Sequence, residues 1–251
     1  MRVLITGAAG LIGGHLVKAL ENEHTLRLGD IRPIPNEPRW MALDVTQPQQ
    51  VRAAMTGIDA VIHLAIASGH EGDYEDENFN QLRFDVHVKG TFNILDAARK
   101  AGIRRVIYTS SLTVVWGYAS PSTVAADAPA RPIGTYALTK YLGEVVCQDY
   151  ARQHNLSVVC LRIPKPIDLQ DPTWKERPLR PQWLAIPDLT QAYRLALTTP
   201  NIDFEILTIV GESSKRRWDI SKAERVLGYQ PKYRLEELGY LLGDETEPLE
   251  R

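Results

Sequence analysis

Short apolar runs alternate with helical spacings along this chain. Val3 to Thr6, Thr25 to Gly29, Ala60 to Ala65, Arg105 to Ser110 and Leu156 to Arg162 are β-rich runs with little polar alternation. That is the form of strands buried on both faces. Leu11, His15, Leu16, Ala19 and Leu20 fall roughly on one side of a helix from Leu11 to Glu21. Phe84, Val88, Phe92 and Leu95 recur at helical spacing. So do Leu138, Leu142, Val145, Val146 and Tyr150, in a helix from about Thr135 to His154. Strands each followed by a helix predict an α/β chain with a doubly wound parallel sheet, and ligands at the carboxyl ends of its strands. The pattern breaks near Pro164. Residues 164 to 187 hold Pro164, Pro166, Pro172, Pro178, Pro181 and Pro187 and show no period, which reads as one long loop. A helix (Asp188 to Leu197), a strand (Phe204 to Val210) and a C-terminal helical region follow.

Composition narrows the classes. The 251 residues are 44% hydrophobic and 24% charged, an ordinary globular balance for one domain or two small ones. The net charge of −2 argues against a general nucleic-acid partner. Cys147 and Cys160 have 12 residues between them and form no CxxC pair, so neither a zinc site nor a redox dithiol is expected, and a reducing compartment suits them. His63, His70 and His154 show no ligand spacing, and no metal is expected. Met1 leads straight into Arg2-Val3-Leu4-Ile5-Thr6-Gly7, unlike a secretory leader. The longest apolar run, Ala60 to Ala67, contains His63 and falls short of a membrane span. A soluble, cytoplasmic protein with no membrane partner is expected.

The strongest local signal is Thr6-Gly7-Ala8-Ala9-Gly10-Leu11-Ile12-Gly13, between the first strand and the first helix. Composition alone gives about 0.08 such glycine triplets in a chain of this length. Glycines there allow a tight turn and close approach of a pyrophosphate, which the helix N-terminus then receives. This identifies a Rossmann-type dinucleotide-binding part. Asp30 ends the second strand, where a carboxylate can accept both ribose hydroxyls and repel a 2′-phosphate, favouring NAD over NADP. Arg32 could instead meet a 2′-phosphate. Asp44-Val45 could contact the adenine, or Asp44 could cap the helix near Gln47.

Tyr136 and Lys140 share a helix face. About 0.4 such pairs are expected by chance, so their weight comes from position. They follow a strand that ends Thr109-Ser110-Ser111, and Ser111 would reach the same crevice. A nearby ammonium is expected to lower the Tyr136 pKa, so that the phenol can exchange a proton with a substrate hydroxyl near neutral pH. Ser111 would hydrogen-bond the same oxygen, and Lys140 would also hold the nicotinamide ribose.

Taken together, these residues resemble the extended short-chain dehydrogenases/reductases of the NAD-dependent epimerase/dehydratase family. The matching segments are the glycine turn, Asp30, Asp44-Val45, His63-Leu64-Ala65, Val88-Lys89-Gly90-Thr91, Thr109-Ser110-Ser111, Tyr136-Ala137-Leu138-Thr139-Lys140, and the closing Trp218-Asp219-Ile220-Ser221-Lys222-Ala223 with Leu227-Gly228-Tyr229-Gln230-Pro231. Ser111 lies 25 residues before Tyr136, the spacing typical of the family. The resemblance implies Ser111, Tyr136 and Lys140 as catalytic residues. It implies cofactor contacts from Gly7, Ala9, Gly10, Leu11, Ile12, Gly13, Asp30, Ile31, Asp44, Val45, Leu64, Ala65, Ile66, Tyr136, Lys140 and Ile163. Family members usually dimerise through two long helices, here about 80–99 and 134–154.

Within the family, the short length and Pro129-Ala130-Arg131-Pro132-Ile133-Gly134-Thr135-Tyr136 look most like uronate dehydrogenases, which oxidise a sugar acid at its anomeric carbon with NAD. Three positions depart from the pattern. His87 replaces the family's Asn. Leu112-Thr113 replaces the Asn-His of the uronate enzymes. Arg162-Ile163-Pro164-Lys165-Pro166-Ile167 replaces the Arg-x-x-Asn-x-Tyr-Gly-Pro of many sugar-nucleotide epimerases, which argues against the usual nucleotide-sugar pocket. Ser68, Ser111, Leu112, Thr113, Lys165, Arg177 and Arg180 are the candidate substrate contacts. Lys165, Lys175, Arg177, Arg180, Trp174 and Trp183 suit an anionic sugar. Equally, they suit a solvated basic loop with its tryptophans packed inward. A division into 1–163, for the dinucleotide, and a small substrate-binding region at 164–251, interleaved with the last sheet strand, leaves room for a small free substrate. The expected activity is NAD-dependent hydride transfer to or from a hydroxyl or carbonyl of a small sugar or sugar acid. An epimerase or dehydratase that recycles NAD within each turnover, and a non-catalytic dinucleotide sensor, are the alternatives.

Overall fold

A computed structural model of the chain describes residues 1–120 and 122–243, so the last residues of the expected substrate region, 244–251, lie outside the described residues. Seven parallel strands form the sheet: β1 (Arg2–Thr6), β2 (Thr25–Asp30), β3 (Trp40–Ala42), β4 (Ala60–His63), β5 (Arg105–Ser111), β6 (Ser157–Ile163) and, seventh in spatial order, β9 (Phe204–Thr208). Their order is β3-β2-β1-β4-β5-β6-β9. The fold is the expected Rossmann-type doubly wound sheet. Its strand order reverses between β1 and β4, which opens a crevice at their carboxyl ends.

Side-chain alternation divides each apolar run between two cores. Val3 and Ile5 of β1, Ile62 of β4, Ile107 of β5 and Val159 and Leu161 of β6 face one side, together with Leu16 and Leu20 of α1 (Leu11–Leu20) and Leu189 and Tyr193 of α6 (Ile186–Thr198). Leu4, Val61, Val106, Tyr108, Val158 and Cys160 face the other. There they meet Val51 of α2 (Pro48–Ala54), Ile94 and Leu95 of α4 (Gly90–Lys100) and Cys147 of α5 (Gly134–His154). Two-sided burial explains why these strands read as continuous apolar runs.

The helical spacing around residues 84 to 95 belongs to a stretch in three parts: α3 (Glu77–Arg83), a π-helical turn (Phe84–Lys89) and α4. Leu95 is buried, but Phe84 and Phe92 are exposed, so this spacing mixes the core face with an outer one. The Pro-rich stretch is not the single loop expected. Pro166–Ile167 forms β7 and Leu184–Ala185 forms β8, and the two pair in parallel. Pro172 opens a 3-10 turn, and Pro187 sits in the first turn of α6. Proline is tolerated at such starts because the missing N–H has no intrahelical partner there. The C-terminal helical region reduces to α7 (Ser221–Leu227).

A buried ion pair ties α5 to β6. Arg162 Nε and Nη2 donate to the Glu144 carboxylate at 2.8 and 2.7 Å, and Ser110 Oγ donates to it at 2.6 Å. Glu144 is 1% exposed. Arg162→Met strands this carboxylate and is expected to cost about 3–5 kcal/mol in urea unfolding. The Glu144→Leu/Arg162→Met double variant should recover most of that loss.

Candidate active site

The first turn of the site is shaped by glycines that no larger residue could replace. Gly7 has φ +71°, and a Cβ there would lie 2.8 Å from the Ala65 backbone nitrogen. A Cβ on Gly13 would lie 2.5 Å from the Ala8 carbonyl oxygen. No side chain caps α1 at Gly10, so the opening N–H groups of the helix face the crevice, as a pyrophosphate requires. The Asp30 carboxylate is held at its place by two backbone N–H donors, Ala9 at 2.9 Å and Arg32 at 2.9 Å. The Arg32 guanidinium lies 3.6 Å from the same carboxylate. The residues therefore fit a dinucleotide.

A cavity of about 400 Å³ follows this turn. It is lined by Gly7, Gly10, Leu11, Ile12, Gly13, Asp30, Ile31, Asp44, Val45, Leu64, Ala65 and Ile66. Ala9 is not among its lining residues, and its N–H donates to Asp30. Asp44 accepts from the Thr46 N–H at 2.8 Å, a turn made just ahead of α2. Asp85 and Val86 of the π-helical turn also line the cavity; no local spacing pointed to them.

A second cavity, of about 990 Å³, holds Ser111, Tyr136, Lys140 and Ile163 together with Ser68, Leu112, Thr113, Lys165, Arg177 and Arg180. Ile12, Leu64, Ile66, Ser68 and Pro166 line both cavities, so the two are contiguous. Ser111 Oγ accepts from the Thr113 N–H at 3.2 Å and from Thr113 Oγ1 at 2.9 Å. With its lone pairs so engaged, its own hydrogen is left for the Tyr136 phenol, whose pKa the Ser111 hydroxyl pulls down. Leu112 is almost wholly buried in the core beneath. Lys165 Nζ lies 4.9 Å from the Trp174 ring and 5.3 Å from the Trp183 ring, and Arg177 lies 5.1 Å from Trp174. Arg180 lies 5.5 Å from Trp116, itself stacked on Trp218. Tyr74, Phe79, His70 and Trp116 also line this cavity. Sequence spacing did not find them, because they come from separate loops and elements.

The electrostatics correct one expectation. Burial pushes the Tyr136 phenol up to about 12, and Tyr74 adds to the rise. The groups that pull it down are the Ser111 hydroxyl and the Arg83 guanidinium; Lys140 is not among them. Lys140 extends over the Tyr108 ring, 4.9 Å from its centre. Burial lowers the Lys140 ammonium itself to about 8.

The NAD dependent epimerase/dehydratase family model matches residues 3–167. The chain belongs to that family. The uronate dehydrogenase of Pseudomonas putida is 31% identical over 241 residues, covering 92% of this chain and 84% of its own. An L-arabinose 1-dehydrogenase (NAD(P)(+)) of Haloferax volcanii is 29% identical, covering 92% of this chain and 96% of its own. The solved uronate dehydrogenase of Agrobacterium tumefaciens superposes with a TM-score of 0.83 at 23% identity, covering 99% of this chain and 92% of that one, a likeness of fold.

The departure at His87 has a defined geometry. Its Nε2 accepts from the Ala67 N–H at 3.0 Å, so the proton resides on Nδ1, which reaches Thr139 Oγ1 at 2.8 Å. Thr139 Oγ1 donates in turn to the Tyr136 carbonyl at 3.0 Å. A second chain starts at Thr6 Oγ1, 2.7 Å from His63 Nδ1. It continues from His63 Nε2 to Thr91 Oγ1 at 3.2 Å, and Thr91 donates to the His87 carbonyl at 2.5 Å. Burial, with Lys140 nearby, lowers His63 to about 3 and His87 to about 2, so both rings stay neutral.

Neutral buried histidines fix the sign of an acid effect. Below pH 6.5 the unfolded chain takes up protons that the native rings refuse, so stability falls as pH drops from about 6.5 toward 3. The two rings should contribute about 2–3 kcal/mol per pH unit below 6. Urea unfolding at successive pH values measures this slope, and His87→Asn should remove about half of the histidine contribution.

Proposed function

We propose that the chain is an NAD-dependent oxidoreductase that oxidises a hydroxyl of a small sugar acid, with Tyr136 as acid/base. The observation that carries this reading is the contiguity of the two cavities, one fit for a dinucleotide and one lined by Ser111, Tyr136 and Lys140 together with Lys165, Arg177 and Arg180. Among the described residues no Asp or Glu lines the larger cavity, which suits an anionic substrate. The uronate dehydrogenases among the relatives support a uronate as that substrate.

NAD⁺, when bound, accepts the hydride that leaves the hydroxyl-bearing carbon. Gly7, Gly10 and the start of α1 would hold its pyrophosphate, and Asp30 would hold the adenosine ribose and disfavour a 2′-phosphate. Tyr136 takes the hydroxyl proton as the carbonyl forms. Ser111 hydrogen-bonds the same oxygen, and Lys140 holds the nicotinamide ribose. Lys165, Arg177 and Arg180 orient the substrate anion, with Trp116 and Trp183 facing the sugar ring. We assign the cofactor to 1–163 and most of the substrate wall to 164–251. The exposed Phe84, Phe92, Leu138 and Val145 on the outer faces of the 77–100 stretch and α5 suit a homodimer contact. The two buried free thiols, Cys147 and Cys160, suit a reducing, cytoplasmic location.

With D-glucuronate and NAD⁺, NADH should accumulate with turnover. Tyr136→Phe should lower kcat/KM about 10²–10⁴-fold while NADH fluorescence titration is unchanged. Epimerised sugar without free NADH, or full turnover in Tyr136→Phe, rejects the reading.

A further inference from the structure

A second cation lies behind Tyr136. Arg83, the last residue of α3, is fully buried. Its guanidinium lies 3.9 Å from the centre of the Tyr74 ring and 4.2 Å from that of Phe79. Nη1 donates to Asn80 Oδ1 at 2.7 Å and lies 3.8 Å from the Glu75 carboxylate, which is itself 32% exposed. Nε and Nη2 are buried and make no hydrogen bond among the described residues. Aromatic faces suit a weakly hydrated guanidinium. Even so, one partly exposed anion compensates a buried cation poorly, and methionine or leucine would fill this space at lower cost. Packing alone does not account for the charge.

The position of the charge does. Tyr74 stands between Arg83 and Tyr136, its ring centre 6.4 Å from that of Tyr136. These separations put the guanidinium within roughly 10 Å of the Tyr136 ring, a range over which charges interact appreciably in a protein interior. The other cation of the site, Lys140, is turned toward Tyr108.

We propose that Arg83 is a positioning residue of the acid–base step, acting across Tyr74 to hold positive charge against the Tyr136 phenolate. This rests on Tyr136 being the acid/base. The proton moves from the substrate hydroxyl oxygen to the phenolate oxygen; Arg83 neither gives nor takes one. The groups around this pair are few. Tyr136 faces Tyr74 before α3, His87 of the π-helical turn, Ser111 and Tyr108 of β5 and Tyr193 of α6, and shares its helix with Lys140. Arg83 faces Tyr74, Glu75 and His87. Both His87 and His63 are neutral; Lys140, lowered to about 8, gives up its charge as alkali is added, so Arg83 is the cation that stands while Tyr136 ionises, partly offset by Glu75.

The test needs no substrate. In protein biosynthetically labelled with 3-fluorotyrosine, which ionises below tyrosine, and saturated with alkali-stable NADH, the fluorine NMR signal of residue 136, assigned by its loss in Tyr136→Phe, is titrated with alkali. Arg83→Met should move that transition up by about one pH unit, and Arg83→Lys should return most of the shift. Arg83→Gln carries the same expectation if the methionine variant does not fold. An unmoved transition in a folded neutral variant, or a lysine variant that behaves like the neutral one, overturns the proposal. A chain that never oxidises D-glucuronate still answers the question, so failure of this inference is distinguishable from failure of the uronate reading.

Discussion

Two imidazoles buried without charge set the constraint on which the site depends. A buried ring must satisfy both nitrogens, and each of these does so through a threonine whose own hydrogen is committed elsewhere. The direction of every hydrogen bond is thereby determined, and so is each tautomer. The path begins beside the phosphate-binding turn at Thr6, crosses β4 and the π-helical turn, and ends on the Tyr136 carbonyl. Ala67, one residue before Ser68, hangs from the same His87. The glycine turn, the loop at Ala67–Ser68 and the start of α5 are thus parts of one hydrogen-bonded unit. An asparagine at position 87 could serve similar partners with its amide, so the imidazole changes the reach of the contact more than its logic.

The charges of the site are arranged by depth as much as by sign. Tyr136 and Lys140 are four residues apart, and that spacing gives them one helix face. It does not say how far each side chain penetrates. Lys140 runs inward to Tyr108, where burial makes its ammonium more acidic, while the Tyr136 phenol stays at the cavity with its ionisation opposed by the same burial. Two buried groups pushed toward neutrality from opposite directions share a cavity wall with Ser111. In such a place a distant fixed charge has more effect than it would in water.

The legibility of the sequence followed the range of the interactions. The glycine turn, Asp30 and the Ser111–Tyr136–Lys140 set depend on local geometry or on ends of strands, and periodicity places those. The two-core division of each strand is likewise local alternation. Arg83, Tyr74, Phe79 and Trp116 carry no such spacing. The first three reach Tyr136 because a loop before α3 folds back on the first turn of α5, where the Glu75 carboxylate accepts from the Thr135 N–H across 60 residues of chain. The proline-rich stretch misled for a related reason. Each proline was consistent with loop, but Pro172 and Pro187 serve as helix starts and Pro166 as a strand residue, roles set by partners such as Leu184 that lie far along the chain.

The wall that carries Arg177 and Arg180 is economical because it borrows its support. The small apolar cluster of Ile167, Leu179, Ala185, Leu235 and Tyr240 could not hold a domain alone. It is pinned instead at separate points: β7 on β8, Leu179 between the Leu241 carbonyl and the Gly243 N–H, and the Asp188 carboxylate under the Lys232 and Tyr233 N–H groups. Between these pins the chain carries Lys175, Arg177 and Arg180, residues whose side chains contribute little to the sheet cores. Substitution among them leaves Ser111, Tyr136 and Lys140 held by β5 and α5, so on the proposed reading it would change the anion accepted without moving the chemistry. Under the proposed function, the chemistry falls to the rigid half and the choice of substrate to a wall with little core of its own.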